Sequence, residues 1–315
     1  MISQRQHAIS LIAVFLALAV GVVLGSGLLS GRVLSGLRDD RDGLQSRVDE
    51  LQSENNALGE QLNAADGFDA AVAGRVVGGS LADRSVVVLT TPDADPADVD
   101  GVQRIVTDAG GSVSGRVGLT ESFVSAAGGD DLRTRLTNVV PAGAQLRTGS
   151  VDQGSLAGDL LGTVLLLDPQ SAQPQSTPDE LGLALDTLRS GGFITFDDGG
   201  VAPAQLAVIV TGDAVDSGAD GNRGAIVARF AGALDGRGAG VVLAGKPGSA
   251  DGSGAIAVVR SDSALSAGTS TVDNVDRTSG RITVVLALVE QLDGGAGRYG
   301  TGPGATSVTV GGRQN

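Results

Sequence analysis

Residues 8–29, AISLIAVFLALAVGVVLGSGLL, run for 22 positions without a charged side chain. As a helix at 1.5 Å per residue the stretch reaches roughly 33 Å, enough to cross a bilayer's hydrocarbon core. The apolar part of a cleaved export signal is shorter, about 7–15 residues, and ends at a small-residue site. Gly25-Ser26-Gly27 is a poor version of that site. The sequence therefore predicts a retained transmembrane signal anchor over 8–29, behind a short tail at 1–7. Ala13, Ala17, Gly21 and Gly25 recur every four residues and share one helix face. Such a face lets two membrane helices approach closely, and it is the predicted transmembrane helix–helix interface. The abundance of Gly and Ala throughout the chain is the plainer source of the same pattern. Arg32, Arg38 and Arg41 follow the helix and Arg5 precedes it. A count of flanking cations thus places the C-terminal part in the cytoplasm. A short N-terminus leading straight into an apolar helix is instead the pattern of a signal anchor. The expectation is a single-pass cell-membrane protein with its C-terminal domain extracytoplasmic.

Beyond the apolar run the period changes. Leu37, Leu44, Leu51 and Leu58 stand seven residues apart, and with these at d, Leu34, Arg41, Val48, Asn55 and Leu62 fall at a. This period predicts a parallel coiled coil over 34–65, up to about 48 Å long. A buried Asn at an a position costs stability but specifies register and oligomeric state. Gly43 and Gly59 weaken the helix by up to about 1 kcal/mol each, and Arg41 suits a seam badly. The predicted coiled-coil interface is Leu34, Leu37, Leu44, Val48, Leu51, Asn55, Leu58 and Leu62. Together with the anchor face it predicts a homodimer. The alternative is a helix packed on its own distal domain.

From about residue 80 the pattern alternates between short apolar runs and amphipathic segments. SVVVLTTP, SVSGRVGLT, FITFDD, QLAVIVTGD and GVVLAGKPG read as strands. ADVDGVQRIVTDAGG, LRTRLTNVV, VDQGSLAGDLLGTVLLL, NRGAIVARFAGAL and SGRITVVLALVEQLDGG read as helices. GSGAIAVV fits a helix better than a strand. This alternation predicts an α/β domain with a mostly parallel sheet covered by helices. The polar, proline-bearing segment 168–180 is expected to link a first lobe, 80–167, to a second, 181–298. A glycine-rich tail follows at 299–315, loop-like or an edge extension.

Composition excludes several activities. A net charge of −14 argues against nucleic-acid binding. The absence of cysteine removes disulfides, thiolate catalysis and thiolate metal sites. Lys246 is the only lysine among 22 basic residues, a skew that reads as a high-GC genome. With 2% aromatic residues, the core must be built from Ala, Val, Leu and Ile. Gly240-x4-Gly245-Lys246 matches most of a phosphate-binding loop, but Pro247 replaces the required Ser/Thr and the intervening VVLA reads as a strand. His7 is the sole histidine, so no Ser-His-Asp arrangement fits the distal part. The acidic turns TPDADPADVDG and GDAVDSGADG lack the twelve-position calcium loop. Asp159, Asp273 and Asp276 are the carboxylates left to explain. The expectation is a non-enzyme without a cofactor, metal centre or catalytic residue.

MISQRQHAISLIAVFLALAVGVVLGSG, VDQGSLAGDLLG, GFITF, STVDNVD, GRITVVLAL and YGTGPGATSVTV resemble, in order and over nearly the whole chain, the actinobacterial MctB family, mycobacterial copper transport protein B. The resemblance implies an envelope protein needed for copper efflux, with a proposed outer-membrane pore. Members have also been treated as SteB, which implies a membrane partner, SteA, a peptidoglycan hydrolase, and a role in cell separation. The residues resist part of this. Cu(I) takes thiolate, thioether or imidazole ligands, and the chain offers only Met1 and His7. A membrane barrel needs aromatic girdles, and there is no tryptophan and one tyrosine. Two readings result: a dimeric envelope scaffold linked to cell separation and hydrolase control, or a copper-efflux envelope component.

Overall fold

The computed structural model describes residues 4–27, 29–147, 152–197, 200–213 and 222–312. It divides into two units, 1–65 and 66–315. In the first, α1 (Gln4–Gly27) carries the apolar run, and its Arg5–Gly25 stretch is long and apolar enough to cross a membrane. Helix α2 (Leu29–Val77) starts in this unit and runs past Asp66, where the heptad pattern ends. In the second unit its last turns bury Ala73 and Val77, with Leu81 after them, against β-sheet residues Val86 and Val88. The reason is local: beyond Asp66 small and apolar residues occupy one face, so the helix continues as a domain element.

The rest of the second unit is β1 (Ser85–Thr90), α3 (Pro96–Asp108), β2 (Ser112–Leu119), α4 (Glu121–Val124), α5 (Gly129–Asn138), α6 (Gln153–Leu165), α7 (Pro178–Ser190), β3 (Ile194–Phe196), β4 (Leu206–Thr211), α8 (Arg223–Asp235), β5 (Val241–Gly245), α9 (Ala255–Ser261), α10 (Ser263–Ser266), β6 (Ser270–Val272), α11 (Thr278–Leu292) and β7 (Arg298–Tyr299). One seven-stranded sheet has the order β3-β2-β1-β4-β5-β6-β7, parallel except for β3. The α/β expectation with a mostly parallel sheet holds. Strands β4 and β5 are buried along their whole length, as parallel strands covered on both faces must be. Alternate residues divide between two cores. Val87, Leu89, Ile209 and Leu243 pack under α4 to α9. Val86, Val88, Val208 and Val242 pack under α3, α11 and the end of α2.

The two-lobe division is corrected by this sheet, because strands from both sides of 168–180 join it. That segment folds back within the unit, bridging Leu167 to Pro174, and Leu166 next to it pairs with Ala204. Asp168 accepts hydrogen bonds from the Ser171 and Gln170 amides, which hold its carboxyl below the usual range. Two elements were not expected as strands. β6 is three residues of the STVDNVD block, and β7 begins the tail and pairs with β6.

Helix α6 lies on α8 at glycine distance. A Cβ on Gly154, Gly158 or Gly162 would sit 2.3, 2.3 or 2.7 Å from Ile226 O, Phe230 O and the Arg237 Cβ. Glycines at four-residue spacing thus operate inside the folded domain, where no side chain fits between the helices.

At the end of α8, Asp235 accepts a hydrogen bond from the Val241 amide at 3.0 Å. Burial pushes its carboxyl from 3.8 up to about 6, against the lowering effects of that bond and of Arg147. The folded value lies above the unfolded one, so this group's stabilisation is full below pH 3.8 and is lost as pH rises through about 6. The gap corresponds to at most about 3 kcal/mol. Asp235→Asn, which keeps the acceptor, is expected to remove that dependence. Urea denaturation at intervals from pH 4 to pH 7 should show the variant gaining on the native chain as pH rises.

Candidate functional site

In an open parallel sheet the crevice for a ligand forms beyond the carboxyl ends of the strands, where the strand order reverses. Here that point lies between β1, whose connection leads outward to β2, and β4, from which the chain proceeds to β5. Pro96 starts α3 there because Asp95 caps it, accepting from the Ala97 amide at 2.9 Å. Lys246 follows the buried run of β5 and donates to Asp95 Oδ2 at 2.9 Å, with Asp98 Oδ2 at 3.7 Å. Arg281 of α11 donates to Asp98 Oδ1 at 3.0 Å, the Asp276 carbonyl at 3.3 Å and the Val275 carbonyl at 2.9 Å. Gly101 makes room for it, since a Cβ there would meet the Arg281 Nε at 2.5 Å.

The electrostatics close this cluster. The hydrogen bond from Lys246 holds Asp95 below the usual carboxylate range, and the same bond raises the lysine. Burial raises Asp276, and Asp98 adds to the effect. The arrangement ties the β1–α3 turn and α11 to the end of β5. Beside it, the depression lined by Asp93, Gly212, Arg223 and Gly254 has about 20 Å³ of free volume, room for a water molecule. Gly240 and Gly245 bracket β5, which agrees with reading that motif as a strand. The partners of Lys246 were missed from sequence; the only available signal was a sole lysine at the end of an apolar strand.

The other two carboxylates are structural ties. Asp159, fully buried, accepts from Arg237 Nε at 2.6 Å, Arg237 Nη2 at 2.9 Å and the Arg147 amide at 2.6 Å. Asp273, also fully buried, accepts from Arg260 at 2.6 Å and from the Thr301 and Gly302 amides at 2.8 and 3.0 Å. Among the described residues no group of three or more His, Asp or Glu is placed to hold a metal ion.

The helical faces read from sequence are present on their helices. On α1, Ala13, Ala17, Gly21 and Gly25 are exposed, and a Cβ on either glycine would meet nothing within 4 Å. On α2, Leu44, Val48, Leu51, Leu58 and Leu62 are each more than half exposed, and Asn55 lies exposed among them. Leu34 and Leu37 are on the same helix, but their side chains lie outside the described residues. The turn GDAVDSGADG lies outside them from residue 214 onward.

The family model described as "Copper transport outer membrane protein, MctB" matches residues 1–310. The chain belongs to the MctB family. Relatives named copper transporter MctB in Mycobacterium tuberculosis and Mycobacterium bovis are 49% identical over 313 residues, covering 98% of this chain and 99% of theirs. The Mycobacterium leprae protein of that name is 49% identical over 316 residues, with the same coverage. The apolar helix, the long helix and the α/β domain all lie within the residues that the family model matches, apart from the last few of the chain. The described sheet of this chain is open and covered by helices on both faces, so its strands pack against protein.

Proposed function

We propose that this chain is a non-enzymatic, membrane-anchored envelope component that serves copper transport as a structural partner and does not itself carry copper. Family membership over the whole chain carries the reading. Ligand chemistry supports the second half: the thioether and imidazole donors are Met1 and His7, both in the tail ahead of the apolar run 8–29. The α/β domain is extracytoplasmic in this reading, and a copper effect passes through a partner protein. The open glycine face of α1 and the exposed seam of α2 support a parallel homodimer, with Asn55 setting its register. The SteA-like membrane protein and cell-wall hydrolase implied by the SteB resemblance are the partner class. Cell separation is the competing outcome of the test.

A strain lacking the gene, grown across a copper series, tests this. It is expected to accumulate copper and stop growing at lower copper, with recovery on restoring the intact chain. Leu51→Asp, which puts a carboxylate into the seam, should not restore it. The purified full chain should leave Cu(I) with a competing chelator. Failure of cells to separate in copper-free medium, with ordinary copper content, would assign the division role and overturn the copper reading. Tight Cu(I) binding by the chain would overturn the structural-partner half.

A further inference from the structure

Toward the β3 edge of the sheet, Thr90 of β1, Gly118 of β2 and Thr195 of β3 are direct neighbours across three strands. Cross-strand neighbours present their side chains on one face. A Cβ on Gly118 would sit 2.5 Å from Thr195 Oγ1 and 3.5 Å from Thr90 Oγ1, so both hydroxyls border the space the glycine leaves. Arg116, two residues before Gly118, and Asp197, two after Thr195, continue the same face. These five residues and Phe196 line a cavity of about 320 Å³, at the lower end of the roughly 300–1,000 Å³ of small-molecule sites. The Arg189 guanidinium stacks on the Phe196 ring at 4.2 Å and steadies that wall.

The polar groups of this shelf are built but unspent. Thr90 is 6% exposed, yet its hydroxyl makes no hydrogen bond among the described residues. Thr195 Oγ1 has only a 3.5 Å approach to the Gly118 carbonyl. Arg116 meets Asp100 at 3.9 Å, too long to engage its donors. The Thr90 hydroxyl, without a protein partner among the described residues, borders a polar cavity, so a ligand group seated there completes it.

We infer that the shelf over Thr90, Gly118 and Thr195 binds a small, neutral, polyhydroxylated molecule of sugar-ring size. Arg116 only donates, Asp197 when ionised only accepts, and the two hydroxyls do either. A ligand whose own hydroxyls both donate and accept satisfies all four. A phosphate or carboxylate would face Asp197, and an ammonium would face Arg116. The glycine floor admits a ring where any side chain would close the space. This site is independent of the copper reading.

The test uses the full chain in lipid nanodiscs, free of sugar detergents. Glucose, galactose, mannose, arabinose, N-acetylglucosamine and maltotriose are titrated separately and followed by saturation-transfer NMR, with inorganic phosphate as the charged probe. Saturable binding of at least one neutral sugar is expected. Thr90→Val should weaken it about tenfold, as loss of one good hydrogen bond does, while leaving Tm unchanged or higher. Gly118→Ala should weaken it as well; if that variant fails to fold, Thr90→Val decides. Maltotriose binding tighter than glucose assigns the end of a glycan, and equal binding assigns a free sugar; either supports the site. Absence of saturable sugar binding, binding unchanged in Thr90→Val, or phosphate binding that Thr90→Val abolishes each overturns it.

Discussion

Gly158→Val is expected to break the packing of α6 on α8 and lower the Tm of the α/β domain by about 10 °C. The new Cβ would fall 2.3 Å from the Phe230 carbonyl oxygen and 3.1 Å from the Leu234 amide nitrogen, both backbone atoms that cannot rotate away. Relief requires moving a helix whose Phe230 ring packs edge-on against Phe123 at 5.4 Å. Overpacking of this kind costs about 3 kcal/mol or more, and at about 2–4 °C per kcal/mol for a unit of this size the fall should be plain. Gly182 on α7 is the control, because a Cβ there meets nothing within 4 Å. Gly182→Ala should stabilise by about 0.5–1 kcal/mol through helix propensity alone. Thermal denaturation followed by circular dichroism on the full chain reads both. Equal Tm for Gly158→Val and the native chain would show that the helices separate without cost.

Asp273→Ala is expected to destabilise the domain by about 3–5 kcal/mol, since it leaves an unpaired cation inside the fold. Arg260 is 8% exposed and also donates to Thr271 Oγ1, the Tyr299 carbonyl and the Pro303 carbonyl. It therefore ties β6, β7 and the tail through one guanidinium. Burial lowers its pKa and the Asp273 carboxylate raises it, so removing the carboxylate leaves burial unopposed. The amides of Thr301 and Gly302 lose their acceptor in the same substitution. Urea denaturation of the single variant and of Asp273→Leu with Arg260→Met separates the two contributions. The double variant should recover part of the loss, because a buried ion pair is often replaceable by apolar groups. If it is no more stable than the single variant, the orphaned amides carry the cost and the ion pair does not.

The elements with a strong local period were legible. The uncharged run 8–29 needs only length and composition to be recognised as a helix able to cross a membrane. The seven-residue leucine spacing marks the long helix, and five of the seven strands stand out as apolar runs between turns. β6 was not legible because two of its three buried residues are polar. Ser270 receives the Gln291 amide, Thr271 receives Arg260, and neither donor is a near neighbour in sequence. A hydroxyl-rich strand is stable only once those donors arrive, so no local pattern announces it.

The same distinction explains the site and the domain count. Segment 168–180 has the composition of a linker, but it is a turn because Leu167 pairs across it and Ala204 comes beside Leu166. The aspartates that hold Lys246 lie 151 residues away in the case of Asp95, and only the adjacency of β1, β4 and β5 brings them together. Thr90, Gly118 and Thr195 are ordinary residues until strand order makes them neighbours. By itself the sequence determined the apolar strands, most of the long helices (though not α7), and that one helix can cross a membrane, because these follow from periodicity and side-chain chemistry within a short stretch. The tertiary structure decided which charges are ties, which hydroxyls lack partners and where a cavity opens, because those depend on strand order and register, which no short stretch encodes.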